Sequence, residues 1–318
     1  LFSRTDVRVE DVMAAGLLLV LVVLIGVRGV ATRLLTIDEG FWDMSFIAAP
    51  LALLVFGASF RYAFRREGQE SRPIRAIAGF LRDWLPFLVF LVSYESFGLD
   101  STTAVLGADR DAALLRLDET LFGASPAITL QRIAFPLLTD AMTVFYFLHL
   151  VLPPVLALVL YRSDRRLFRE FLLAILVCGF LGYVGYALVP AAGPQVAFPE
   201  RYDAPLTGRL YAPVTGLVDA ARAPRDAFPS LHVGLSSVVL YYAWKRGRTA
   251  FFVALPFVLG NWFSTLYLRF HYMVDVIAGW LVAAAAIALV GRLLRLETRL
   301  KGLAGLAPDV AAIPGRTP

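Results

Sequence analysis

The chain has 318 residues, 58% of them hydrophobic and only 17% charged, and a mean hydropathy of +0.69. That balance excludes an ordinary soluble domain, in which about a quarter of residues are charged. One cysteine, Cys178, excludes an intrachain disulfide framework and a thiolate metal site. The net charge of +5 does not point to nucleic acid, because the basic residues are distributed over the loops between apolar segments.

Eight apolar runs follow one another, at about 12–27, 44–60, 84–99, 138–161, 168–189, 231–244, 250–268 and 271–291. Lipid admits only helices or closed barrels, and these runs are too apolar for barrel strands. The predicted fold class is therefore all-α, a polytopic membrane helical bundle of about eight transmembrane helices. Arg4 and Arg8 ahead of the first run also fit a signal peptide, although no small-x-small cleavage site follows residue 27. Between the runs, 61–83 is basic, is broken by Gly68 and Pro73, and reads as an interfacial stretch. Segment 100–131 opens acidic, with Asp100, Asp109, Asp111, Asp118 and Glu119, and is expected to carry a short helix before Gly123 and Pro126. Segment 190–228 holds too many prolines and glycines for a long helix and leads directly into His232, which suggests an ordered lid.

With a cytoplasmic N-terminus and all eight spans, the cytoplasmic segments carry about 20 of the 30 Lys+Arg and the other side about 10. The expected protein is thus an integral membrane protein with both termini cytoplasmic and its histidine motifs extracytoplasmic. Arg- and Ala-rich, nearly Lys-free composition suggests a high-GC bacterium, hence the bacterial inner membrane.

Two of the three histidines stand in distinctive surroundings: Phe228-Pro229-Ser230-Leu231-His232-Val233-Gly234, and Ser264 to Asp275 with His271 four residues before Asp275. On a helix, residues four apart share a face, so Asp275 can take the proton of one ring nitrogen of His271 and leave the other as a free lone pair. That makes a nucleophile or base; equally, such a pair can merely satisfy itself at an interface. Pro229-Ser230 reads as a helix start with Ser230 as cap, and Gly234 would let a phosphate approach the first free amides. His232 in that turn could serve a phosphate oxygen or a leaving alkoxide, or simply lie at headgroup level. His149 falls within the fourth run and reads as a packed interhelical donor. Glu95 and Asp140 could contact a headgroup or lie at the interface.

Together the motifs FPSLHVG and STLYLRFHYMVDVIAG resemble the second and third signature motifs of the phosphatidic acid phosphatase type 2 superfamily. Within it they are most similar to the inositol phosphorylceramide synthase branch. A looser likeness covers Asp118 to Gly123 with Pro126 and Gln131, and Pro190 to Pro194. The resemblance implies a six-helix catalytic core over 84–296, preceded by two helices and the basic loop in 1–83; the Ala/Gly/Pro-rich composition after Lys301 makes the end of the chain, 297–318, an expected flexible tail. It implies a reaction without metal or other cofactor. His271 would attack phosphorus to form a phosphohistidine, Asp275 would orient it, and His232 would protonate the departing oxygen. The substrate would be a phospholipid or polyprenyl phosphate, among membrane lipids and no nucleic acid. The acceptor would be a lipid hydroxyl or, as an alternative, water in a lipid phosphate or polyprenyl pyrophosphate phosphatase. A lipid transporter is the weaker reading, for lack of paired broken helices in two repeats.

Two departures matter. Thr265 stands where the superfamily usually has Arg, and the Lys-x6-Arg-Pro motif is absent; Arg65-x6-Arg72-Pro73 imitates it from the wrong side of the membrane. Arg225, Arg269 and Arg222 are the candidate replacements for binding the phosphate, with Ser230 and Gly234 at the helix start.

Overall fold

The computed structural model describes residues 8–16, 72–97, 109–221 and 225–303, and every regular element among them is helical. They belong to two compact units, residues 1–105 with 292–318, and residues 106–291. The first two expected spans lie outside the described residues, apart from 12–16, which are helical. In the first unit, Arg8 Nη1 pairs with Asp83 Oδ1 at 2.9 Å, and α1 runs from Arg72 to Phe97. The end of the expected interfacial stretch and the third span are therefore one helix. Pro73 falls in its first turn, where a missing N–H leaves nothing unpaired.

The second unit begins with α2 (Asp111–Phe122), the short helix expected from the sequence, closed by Gly123 in the left-handed region at φ 77. Then come α3 (Pro136–Ser163) and α4 (Arg165–Leu188). Asp164 ends α3 and also caps α4, its carboxylate accepting the Leu167 N–H at 2.9 Å. The proline-rich segment folds into short turns and α5 (Tyr211–Ala221). It is followed by α6 (Leu231–Arg246), α7 (Arg248–Tyr267) and α8 (Met273–Leu303), of which residues 273–291 belong to this unit. Among the described residues, α3, α4, α7 and α8 are long and apolar enough to cross a membrane.

α6 packs on α7, α4 and α3, and α7 packs on α3. α8 joins them through Trp280 against Trp262 and Val276 beside Val233 and Leu266. α3 shows why the bundle suits lipid: Met142, Tyr146 and Leu156 are buried on one face, while Val144, Val151, Val155 and Val159 form an exposed apolar stripe on the other. Such a stripe is costly in water and neutral against acyl chains.

α6 is short. Its 16 residues span about 24 Å, less than the roughly 30 Å of hydrocarbon. Its far end is tied to the end of α3 by Arg246 Nε donating to Ser163 Oγ at 3.1 Å. Counting back at about 1.5 Å per residue puts the start of α6 level with the middle of α3, about 20 Å from that basic end. The histidine at the start of α6 is therefore sunk between helices instead of lying at their edge.

Candidate active site

Ser230 caps α6, its Oγ accepting the Val233 N–H at 3.4 Å, as the sequence suggested, and His232 follows in the first turn. The turn between α7 and α8 brings His271 against it. His232 Nδ1 and His271 Nε2 are 3.2 Å apart. His271 Nδ1 lies 2.8 Å from the Ala227 carbonyl, which can only accept, so Nδ1 carries a proton and, in the neutral ring, Nε2 presents its lone pair. Asp275 Oδ2 stands 3.5 Å from the same Nδ1. The geometry differs from the expected helix face: His271 precedes α8, and the shorter bond to it comes from main chain. Asp275, on the first turn of α8, also reaches back to accept the Tyr272 N–H at 2.8 Å, a capping-box contact. Its other oxygen, Oδ1, is buried with no hydrogen-bond partner among the described residues.

Two further buried carboxylates build the scaffold. Asp118 accepts the Met273 and Val274 amides, both at 3.0 Å, and the Ser125 hydroxyl at 2.9 Å, so it caps α8 from α2. Asp111 accepts the Ala192 and Gly193 amides and the Tyr272 hydroxyl, each at 2.9 Å. Burial holds the Tyr272 phenol well above its ordinary pKa, so it stays the donor. Gly193, at φ 88, passes so close to the Phe270 carbonyl that a Cβ would lie 2.2 Å from its oxygen. Thr265, in the place of the usual arginine, contributes its carbonyl, which accepts the His271 N–H at 3.2 Å.

The candidate cations fare differently. Arg269 is 6% exposed, has φ 68, and lays its guanidinium 4.1 Å from the centre of the Tyr202 ring. Its Nη2 donates to the Ala204 carbonyl, Nε has no partner, and no carboxylate pairs with it among the described residues. Burial lowers its pKa. Arg225 instead pairs with Asp109 and is one-third exposed. Arg222 and the side chain of Glu95 lie outside the described residues. At Gly234 the space is taken by helix packing, since a Cβ would lie 3.1 Å from Cys178 Sγ and 3.4 Å from the Gly279 carbonyl. Asp140 is a helix cap, accepting the Arg209 and Leu210 amides at 3.0 and 2.8 Å ahead of α5.

His149 is the residue the sequence placed least well. Its ring centre is 4.0 Å from that of His232, so all three histidines of the chain gather at one place. Only its position one turn after Tyr146 on the buried face of α3 hints at this.

A sequence profile of the PAP2 superfamily matches residues 112–289, from α2 through most of the membrane length of α8. The chain belongs to the PAP2 superfamily. Among curated proteins it is similar to a phosphoinositol dihydroceramide synthase of Bacteroides thetaiotaomicron, 27% identical over 221 residues that span 61% of this chain and 71% of that protein. No solved structure matches it. As a PAP2 protein with, among the described residues, four helices long and apolar enough to cross a membrane, it is an integral-membrane enzyme, a lipid phosphotransferase or lipid phosphatase.

Proposed function

We propose that this PAP2 enzyme transfers a phospho-headgroup from a lipid donor to a lipid hydroxyl through a phosphohistidine on His271. The observation that carries the reading is the tautomer of His271: Nδ1–H is fixed on the Ala227 carbonyl while Nε2 faces the His232 ring at 3.2 Å. In the first half-reaction Nε2 bonds to phosphorus, the ester P–O bond breaks, and His232 gives its proton to the departing lipid alkoxide. In the second, the acceptor hydroxyl gives its proton to His232, its oxygen bonds to phosphorus, and the P–N bond breaks. The Asp275 carboxylate offsets the positive charge that develops on the ring.

No phosphoryl group fits between nitrogens 3.2 Å apart, since attack needs phosphorus about 3–3.5 Å from Nε2. Substrate entry therefore moves the His232 N–H from Nε2 to an oxygen of the substrate. Arg269 supplies the countercharge: a buried guanidinium with no carboxylate partner among the described residues, held in a backbone region that non-glycine residues rarely adopt, is costly unless it meets an anion. His271 is 2% exposed, which favours a lipid hydroxyl over water as acceptor. The basic turns Arg162 to Arg169 and Lys245 to Arg248 lie at the cytoplasmic end of the helices, so the site opens toward the opposite side of a bacterial inner membrane.

The test uses purified protein with phosphatidylinositol or phosphatidic acid carrying labelled phosphate, with chelator present. Acid-labile, alkali-stable label on the wild type but not on His271→Ala is expected. Label should leave with an added hydroxylated lipid faster than with water. Unlabelled protein that still turns over donor would sink the covalent route, and release to water alone would make it a phosphatase. Loss of activity in chelator with recovery on adding a divalent ion would refute the metal-independent reaction.

A further inference from the structure

The His232 ring is held by more than His271. Tyr146, on α3, stacks on it with ring centres 4.4 Å apart and planes 28° from parallel. His149, on the same buried face of α3, meets it at 4.0 Å and 66°. His149 is itself fixed: its Nδ1 lies 2.7 Å from the Tyr146 carbonyl, so Nδ1 carries the proton and donates it. The same carbonyl accepts Asn261 Nδ2 of α7 at 3.1 Å, which anchors this turn of α3 to the helix leading into the His271 turn.

We infer that His149 is a positioning residue of the active site: its ring, tied to the Tyr146 carbonyl, holds the His232 imidazole at the angle from which it serves the leaving and entering oxygens. The inference rests on the reading above that His232 handles those protons. His232 needs such a support. It sits half-buried in the first turn of a helix, and a proton donor misaligned by about 20° loses much of its effect. A phenylalanine at 149 would fill the ring's place without the tie to the carbonyl. An asparagine would put an N–H where Nδ1 stands and leave the outer half of the ring empty.

The experiment compares two donors that share a headgroup and differ in leaving group, one an alkyl glyceride and one a nitrophenol that departs without a proton. Four proteins are assayed: His149→Phe, His149→Asn, His232→Ala, and His149→Phe with His232→Ala. The expected result is that His149→Phe loses at least about tenfold more on the alkyl donor than on the nitrophenyl donor, within the range a general acid supplies. His149→Asn should fall between it and wild type, and the double variant should be no slower on the alkyl donor than His232→Ala alone. Equal losses on both donors, multiplicative losses in the double variant, or failure of both His149 variants to fold would overturn the inference. If His232→Ala itself shows no preference between donors, the acid role of His232 fails and takes this inference with it. If His232→Ala shows that preference and the His149 variants do not, only the role of His149 falls.

Discussion

Replacing Asp118 with alanine should loosen α8 at the end that matters. The carboxylate accepts three hydrogen bonds, two of them from the first amides of α8, and is fully buried. The Ser125 hydroxyl can turn to another acceptor; the Met273 and Val274 amides cannot. Leaving each unpaired costs about 1–3 kcal/mol, and losing a negative charge at a helix N-terminus adds about 0.3–1 kcal/mol. The expected loss is therefore about 4 kcal/mol. At about 2–4 °C per kcal/mol for a unit of this size, the unfolding midpoint in detergent should fall by roughly 8–16 °C. Asp118→Asn keeps one acceptor oxygen but turns an NH2 toward an amide N–H, so about half that fall is expected. Because the affected turn carries Asp275 and adjoins His271, transfer measured well below the midpoint should also drop. A midpoint within about 3 °C of wild type, with activity retained in Asp118→Ala, would refute the assignment of this carboxylate as the cap that positions the site.

Gly193→Ala should reduce transfer by about a hundredfold or more, since its Cβ meets the Phe270 carbonyl oxygen at 2.2 Å and must push the chain just ahead of His271. Activity within about threefold of wild type would show that this segment gives way freely. Arg269→Asn should lose more than about tenfold in kcat/KM for an anionic donor while losing at most about 1 kcal/mol of stability, because asparagine tolerates positive φ and no carboxylate is left unpaired. Arg225→Gln, which removes a part-exposed pair with Asp109, should change stability by less than about 1 kcal/mol and kcat/KM less than Arg269→Asn does. The reverse order of the two in kinetics would move the phosphate contact to Arg225.

Much of the scaffold was legible because lipid simplifies the code. The runs at 138–161 and 168–189 match α3 and α4 to within a few residues, since in hydrocarbon an apolar stretch has no structure open to it but a helix. Ser230 announced the start of α6 because capping is local chemistry read over four residues. The meeting of His232 with His271 followed from motif likeness, not from any spacing. What stayed hidden acts over distance or without a side chain. Asp118 reaches amides 155 and 156 residues away, and nothing near it in sequence says so. His149 in an apolar run resembles any packed polar residue until Tyr146 and His232 are seen around it. Asp140 read as a headgroup contact or an interfacial acid, because a lone acid near a span end carries no mark of the α5 amides it serves.

The Ala227 carbonyl that fixes the His271 ring belongs to the peptide chain, so no codon change at 227 can delete it. The path of the chain there is held in part by the contact in which the Ala227 N–H donates to the Ala191 carbonyl at 3.0 Å. The His271 imidazole thus owes the place of its Nδ1 proton to the course of two loops. Variation around 191 and 227 is where relatives of this enzyme would diverge in speed while keeping every catalytic side chain.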